Sequence, residues 1–431
     1  MFGNKPDPNS FTLTTKIKLR NLSYEGFQYW ATMCYSCARL YNVCIHATYE
    51  LNKTKNSLFV QGDKEYLDAV TSNENFHYLP KAASQQILNS IGPIFRSFVG
   101  LLRAKGKGTY DKPVSRPSYK DKNGYSNFTV STNGFQIKND KLQITPSFGK
   151  KAKLKESDYV FEVPKYLHDK KIVMLTVKPS HETNVRYFTL LVTYRVDKPQ
   201  IPHNYNNVLS IDIGVNNLAT CFNSSSNESF IIDGRRLKFI NSRYNKDIAR
   251  LASIKDRQKI KSWTNQMYKI TEKRSDRIND IMHKVSKQII EYCLINDIGT
   301  IVIGKNKEWK QKCKLRKSTT QNFVQIPHAR LIDMITYKGN FLGIEVVLLN
   351  ESHTSKCSSL DNEKICHHET YVGKRVKRGL FVSTKGIKIN ADVNAAINIF
   401  RRHVTVKGSS IEIDHEQMKG ILAYPLKIKV A

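Results

Sequence analysis

Two aspartates stand beside apolar segments that offer them no evident partner. Asp212 follows Val208, Leu209 and Ile211 in VLSIDIGVNNLATC, residues 208–221, with Gly214 two positions on. An apolar run of that length bounded by Asn and Gly predicts a buried strand turning into a hairpin. Asp392 opens the Ala- and Ile-rich helical pattern of KINADVNAAINIF, residues 388–400. Burying a carboxylate is costly unless something positive neutralises it. The chain's many Lys and Arg residues offer one solution. A hard divalent cation held by carboxylate oxygens is the other, and two acids from distant sequence, both beside apolar elements, point to such a site in an α/β core.

Charge narrows the partners. The 431 residues carry 69 Lys plus Arg against 37 Asp plus Glu, a net charge of +32. So basic a chain repels itself unless it works against a polyanion. Anionic membrane is the competing surface, but no run of eighteen apolar residues exists and the basic residues form no amphipathic anchor. Nucleic acid is the better partner, and 21 Tyr and 19 Phe supply rings for stacking as well as core. Hydrophobic content of 40% places the chain among globular proteins of two or three domains. MFGNKPDPNS has no signal-peptide pattern, so a cytoplasmic location is expected, with the eight cysteines reduced.

The elements that must hold the acids follow from periodicity. FTLTTKIKLR (11–20) alternates as a strand, and Tyr24 to Leu51 repeats apolar residues at helical spacing. A short helix is expected around Lys64–Val70. Pro80 opens KAASQQILNS, which Gly92-Pro93 separates from a second helix, IFRSFVGLLR. Lys81, Gln85 and Asn89 fall at i, i+4, i+8 opposite the apolar face. Their groups suit reading base edges, and a solvated helix face is the alternative reading. Short alternating segments from Phe128 to Val196 predict an antiparallel β-barrel, which FTLTTKIKLR joins. Beyond Asp212 come a hairpin, a basic helical stretch from Arg235 to Asn296 in which Arg274 and Arg277 suit phosphate contact, the strand TIVIG (300–304), a basic loop, an amphipathic helix in HARLIDMITYKGNFLG and the strand IEVVLL (344–349). That order, with acids at strand ends, describes a ribonuclease H-like core.

In IDIGVNNLAT, EKRSDRINDIMHK, TIVIGKNKEWKQ, QNFVQIP, SHTSKCS, KRGLF and INADVNAAINIF, taken in order across nearly the whole chain, the sequence resembles the TnpB family, transposon-encoded RNA-guided nucleases related to type V CRISPR effectors. The resemblance implies an α/β plus β-barrel fold. A wedge-type barrel would span 1–22 and 104–200, with a helical recognition domain inserted at 23–103. A RuvC nuclease domain would follow at 201–350, with a helical insert at 235–296. A zinc-finger-like insert at 351–388, the last RuvC part at 389–403 and a tail at 404–431 complete the order.

By the same resemblance Asp212 and Asp392 match the first and third acids of a site for two Mg²⁺ ions. The second acid does not match: where the family has Glu after the TIVI strand, this chain has Gly304. Glu308 is four residues away in a loop. Glu351, at the end of IEVVLL on a neighbouring strand, is the better substitute, and a relocated glutamate is known in TnpB-like branches. The zinc segment also departs from the family's two CxxC pairs, since Cys357 is followed only by Cys366, His367 and His368. A metal-free hairpin or loop is expected there rather than a zinc site.

The resemblance therefore implies a Mg²⁺-dependent endonuclease, guided by an RNA from the transposon end, that cuts double-stranded DNA beside a short adjacent motif. Gly304 supports a rival from another class, a nuclease-dead RNA-guided DNA-binding repressor, whereas the retained Asp212 and Asp392 support the enzyme. A transposase proper is not expected, because no HUH-type histidine pair or catalytic tyrosine context is visible. No membrane partner is implied, and the oligomeric state, monomer or otherwise, is left open.

Overall fold

A computed structural model of the protein describes residues 9–146, 154–182, 184–305, 325–408 and 424–430. The basic loop with Glu308 and much of the C-terminal tail lie outside them. The chain divides into two compact units, 1–197 and 198–431.

In the first unit β1 (Ser10–Leu19) is followed by four helices before β2 (Phe128–Ser131). These are α1 (Tyr24–Lys55), α2 (Lys64–Thr71), α3 (Glu74–Tyr78) and α4 (Lys81–Gly106). The Ser23 hydroxyl caps α1 by accepting from the Gly26 amide at 3.0 Å. Trp30, Met33, Cys34, Cys37, Leu40, Cys44 and Ile45 form the buried stripe of α1, so these thiols are core groups. β3 (Phe135–Lys138), β4 (Lys141–Ile144), β5 (Val160–Glu162), β6 (Lys171–Pro179) and β7 (Phe188–Asp197) complete the unit. The expected barrel strands form two antiparallel sheets, β1-β7-β6-β2 and β3-β4-β5, which share one hydrophobic core; among the described residues no strand pairing joins them.

One expectation is corrected here. Gly92-Pro93 does not separate two helices: α4 runs through Pro93 unbroken. An interior proline costs about 3 kcal/mol. The same helix buries Leu88, Ile91, Phe95 and Phe98 on one face, each worth about 1.5–3 kcal/mol. Pro93 lies on the exposed side, where water can satisfy the carbonyl one turn back.

The second unit is built on a six-stranded sheet in the order β12-β11-β8-β9-β10-β16. Its strands are β8 (Val208–Ile213), β9 (Asn217–Asn223), β10 (Ser229–Asp233), β11 (Thr300–Gly304), β12 (Glu345–Leu349) and β16 (Leu426–Ile428). β8 runs antiparallel to β9 and parallel to β11, and β11 parallel to β12. The basic helical stretch is two helices, α5 (Arg235–Arg257) and α6 (Asn265–Ile295). α7 (His328–Phe341) precedes β12, and α8 (Ala391–Val406) begins just after β15 (Lys388–Asn390). β13 (Lys374–Lys377), β14 (Leu380–Val382) and β15 form a small antiparallel sheet where a hairpin or loop was expected. The tail also holds a surprise: β16 pairs in parallel with β10, and the Val430 carbonyl accepts from Arg236 at 3.0 Å.

Both faces of the central sheet are covered, which explains why β8 and β11 read as continuous apolar runs. Leu209, Ile211, Ile301 and Ile303 pack in one core with residues of α6 and α7. Val208 and Val302 face the other way, in a core with Ala396, Ile397 and Phe400 of α8. Among the described residues no helix is long and apolar enough to cross a membrane.

Candidate active site

Strand alternation decides where Asp212 points. Val208, Ser210 and Asp212 share one face of β8, and the Ser210 hydroxyl donates to the Ala396 carbonyl of α8 at 2.7 Å, so this is the α8 face. On β11 the same face carries Thr300, Val302 and Gly304, one residue beyond the bonded pair Ile303–Ile211. On β12 it carries Val347 and Leu349, and two residues further the chain reaches Glu351. Asp212, Gly304 and Glu351 therefore stand at the carboxyl ends of three adjacent strands, on one face.

Gly304 and Glu351 are spatial complements. A Cβ placed on Gly304 would lie 2.8 Å from Glu351 Oε2, 3.1 Å from Glu351 Cβ and 2.6 Å from Ile399 Cδ1. The space that a side chain at 304 would fill is taken by the Glu351 side chain. The bare position at 304 and the Glu351 side chain are thus one packing arrangement.

Asp392 comes from the first turn of α8, where Asn390 caps the helix by accepting from the amides of Asp392 (3.0 Å) and Val393 (3.4 Å). Helix N-termini favour a carboxylate by about 0.3–1 kcal/mol. Asp392 Oδ2 accepts from Asn217 Nδ2 at 2.7 Å, and Oδ1 lies 3.3 Å from Arg375 Nη2 on β13.

Asp212 feels the other two acids. Burial, then the charge of Asp392 and of Glu351, pushes the Asp212 carboxyl well above the usual range, with Arg375 opposing. Burial raises Glu351 to about 7. Such crowded, partly desolvated carboxylates are the donor set that a hard divalent cation stabilises. Their oxygens do not converge on one point: among the described residues, only Cys357, Glu363 and His368 bring donor atoms all within 4.8 Å of one another.

In that second cluster the groups already serve the backbone. Glu363 accepts from the amides of Ser358 (2.6 Å) and Val372 (3.0 Å). His368 Nε2 is 2.7 Å from the Lys364 carbonyl and 3.4 Å from Cys366 Sγ, and burial raises the Cys357 thiol. Asp361 ties its own turn to the connection between β14 and β15, accepting from the Ser358 hydroxyl at 2.5 Å and the Thr384 amide at 3.2 Å.

The basic and polar candidates divide. Lys81, Gln85 and Asn89 are exposed along α4, with Gln85 donating to Asn89 at 3.1 Å. Arg277 is exposed on α6. Arg274 is half-buried and occupied inside the fold: Nε donates to Asn241 Oδ1 at 2.8 Å, Nη2 to the Gln325 carbonyl at 3.4 Å, and the guanidinium lies 4.7 Å from the Tyr244 ring. Its visible role is to fasten α6 to α5.

Residues 191–310, which include Asp212, match the OrfB_IS605 family model, described as "Probable transposase". Residues 328–399, which include Glu351 and Asp392, match the Cas12f1-like TNB domain. The chain is also similar to a curated TnpB-like protein. It is 25% identical over 231 residues to the TnpB-like protein ORF457 of Acidianus two-tailed virus, a match covering 50% of this chain and 47% of that protein, so it spans about half of the curated relative's length. A cryo-EM structure of a Cas12f1–sgRNA–target DNA complex has a similar fold, with TM-score 0.57 and 16% identity over 91% of this chain and 99% of that one.

Asn217 and Arg375, which hold Asp392, and the polar face of α8 do not stand out in the sequence. Arg375 is one cation among many in KRVKRGLF, and Asn217 is one of two adjacent asparagines after the Asp212 strand. The α8 face did leave a signal: Asn394 and Asn398 recur at i, i+4 inside an otherwise apolar helix.

Proposed function

We propose that this chain is an RNA-guided DNA endonuclease with Asp212, Glu351 and Asp392 as its catalytic acids. The observation that carries the reading is the fit of Glu351 over Gly304, on the same face as Asp212 and electrostatically coupled to it. A carboxylate at 212 whose ionisation is opposed by burial, by Asp392 and by Glu351 gains the fold nothing structurally.

The residues present suit two Mg²⁺ ions, and the donor set is all hard oxygen. Bound there, the ions would supply activation of water and neutralisation of the leaving oxygen in phosphodiester hydrolysis. The chain's own groups do the rest. Asp212 is fixed by a central strand with both faces covered. Asn217 orients the Asp392 carboxylate through Oδ2, leaving Oδ1 to the opposing guanidinium of Arg375. The +32 charge attracts the phosphates of RNA and DNA. Arg277, Lys81, Gln85 and Asn89 are proposed contacts to nucleic acid, the latter three to target DNA near the adjacent motif. The domain ranges given above are proposed as the wedge, recognition, nuclease and insert parts of this machine, with the guide RNA reading sequence by base pairing.

Gly304 is the one observation behind the second reading, a nuclease-dead repressor. Incubating the protein and its native transposon-end RNA with a plasmid library randomised beside the target tests both. Mg²⁺-dependent cuts beside one enriched motif support the nuclease. Enrichment of a bound motif with no cut product supports the repressor, and neither binding nor cleavage sinks the RNA-guided reading.

A further inference from the structure

Glu351 sits on a loop, and a loop carboxylate works as a ligand only if its backbone is held. α8 supplies the hold. Asn398, fully buried, donates from Nδ2 to the carbonyls of Thr354 (2.9 Å) and Cys357 (2.8 Å). Thr354 in turn donates its amide (3.2 Å) and hydroxyl (2.8 Å) to the Glu351 carbonyl. On the other side of Glu351, Arg402 donates from Nη1 to the Asn350 carbonyl and from Nη2 to the Ile365 carbonyl at 3.1 Å. The backbone just before and just after Glu351 is thus tied to two side chains one turn apart. Both belong to the helix whose first turn carries Asp392.

Packing alone does not ask for this. Asn394 and Asn398 lie fully buried in a helix whose neighbours are Ala395, Ala396, Ile397 and Ile399, positions where an apolar side chain would bury at no hydrogen-bonding cost. Each amide is spent on the segment that follows Glu351. Asn394 accepts from the Ser359 amide (2.9 Å) and hydroxyl (2.8 Å) and donates to the Cys357 carbonyl (2.9 Å). Arg401 donates to the Glu363 carbonyl (3.0 Å) and to Asn398 Oδ1 (2.9 Å), fixing which way that amide faces.

We infer that Asn398 and Arg402 are positioning residues that set the Glu351 carboxylate against Asp392, making one helix the ruler for both acids. Sites of this kind must be held to within about 0.5 Å. A relocated acid needs such a device, because it lacks the strand backbone that would fix a residue at 304. The inference rests on the nuclease reading above.

Mn²⁺ binding to the full chain, measured by calorimetry without nucleic acid, tests it, with thermal melting and the Mg²⁺ requirement for cleavage measured in parallel. Arg402→Gln and Asn398→Ala are compared with Arg274→Gln, whose guanidinium bonds Asn241 of α5 and the Gln325 carbonyl instead of the segment around Glu351. Expected is a weakening of Mn²⁺ binding by about 10–100-fold in the first two variants, the usual effect of losing a group that orients a metal ligand. Cleavage by Arg402→Gln should recover at high Mg²⁺, and Arg274→Gln should lose melting temperature with much less loss of Mn²⁺ affinity. The inference is overturned if Arg402→Gln and Asn398→Ala bind Mn²⁺ like wild type, or if all three variants lose affinity only in proportion to melting temperature. Glu351→Gln is run alongside: wild-type Mn²⁺ binding by that variant would overturn the acid assignment itself, whereas weak binding by it alone would overturn only the positioning role.

Discussion

Replacing Glu351 by Gln should stabilise the metal-free protein at neutral pH while disabling it. The carboxyl is raised from its ordinary 4.5 to about 7 by burial, so the folded state holds its proton more tightly than the unfolded chain does. The sign follows from linkage: the stability this group contributes is complete below about pH 4.5 and is lost as pH rises through about 7. The span corresponds to at most about 3 kcal/mol. Gln keeps the shape, carries no charge at any pH and cannot incur that loss. Removing the Glu351 charge also eases ionisation of Asp212, whose carboxyl is raised in part by the same neighbour. Urea titrations in EDTA from pH 4.5 to pH 8 should show wild type losing stability relative to Glu351→Gln, by up to about 3 kcal/mol at the upper end. Mg²⁺ should reverse the order by stabilising wild type alone, because an ion that binds only the folded state adds stability by mass action. A difference between the two proteins that stays constant across this pH range would refute the argument that Glu351 is held in a desolvated site.

The remaining expectations are shorter. Gly304→Ala drives a methyl group against Glu351 and Ile399 and should cost about 1–3 kcal/mol by overpacking, with weaker Mg²⁺-dependent cleavage; melting and cleavage unchanged would mean Glu351 does not occupy that space. Arg375→Ala removes the cation beside Asp392 and should tighten Mn²⁺ binding in the absence of nucleic acid, which calorimetry can read directly; weaker binding would contradict a competing role. The double variant Lys81→Ala/Gln85→Ala should lower target-DNA affinity in gel-shift titrations and spare RNA affinity, and an unchanged motif preference would return that α4 face to solvent.

Much of the second unit was legible because its signals are local. A buried parallel strand needs apolar residues on both faces, so VLSIDI and TIVIG announced themselves, and Asp212 stood out in the first. Asp392 was legible for a similar reason, at the start of an Ala- and Ile-rich helical pattern. Glu351 could be named from sequence only as a strand-end acid; its fit into the space over Gly304 depends on three strands coming into register, which no local pattern encodes. Pro93 misled because its local cost is real, and a continuous buried face elsewhere on α4 outweighs it. Arg274 looked like any exposed cation, and only the approach of α5 and Gln325 shows that its guanidinium is spent inside the fold. The strand at Leu426–Ile428 was missed because three residues at a sheet edge carry too little periodicity to see.

The most direct test of the central claim separates binding from cutting at one atom pair's worth of change. Wild type and Glu351→Gln, each loaded with the native RNA, are given the same matched target DNA in Mg²⁺, and bound and cleaved fractions are measured over time under single-turnover conditions. Equal binding by both is expected, with cleavage by wild type and no cleavage by Glu351→Gln. Cleavage by Glu351→Gln at a near wild-type rate would contradict the assignment of the relocated acid, and a wild-type complex that binds and never cuts would make the chain a guided repressor.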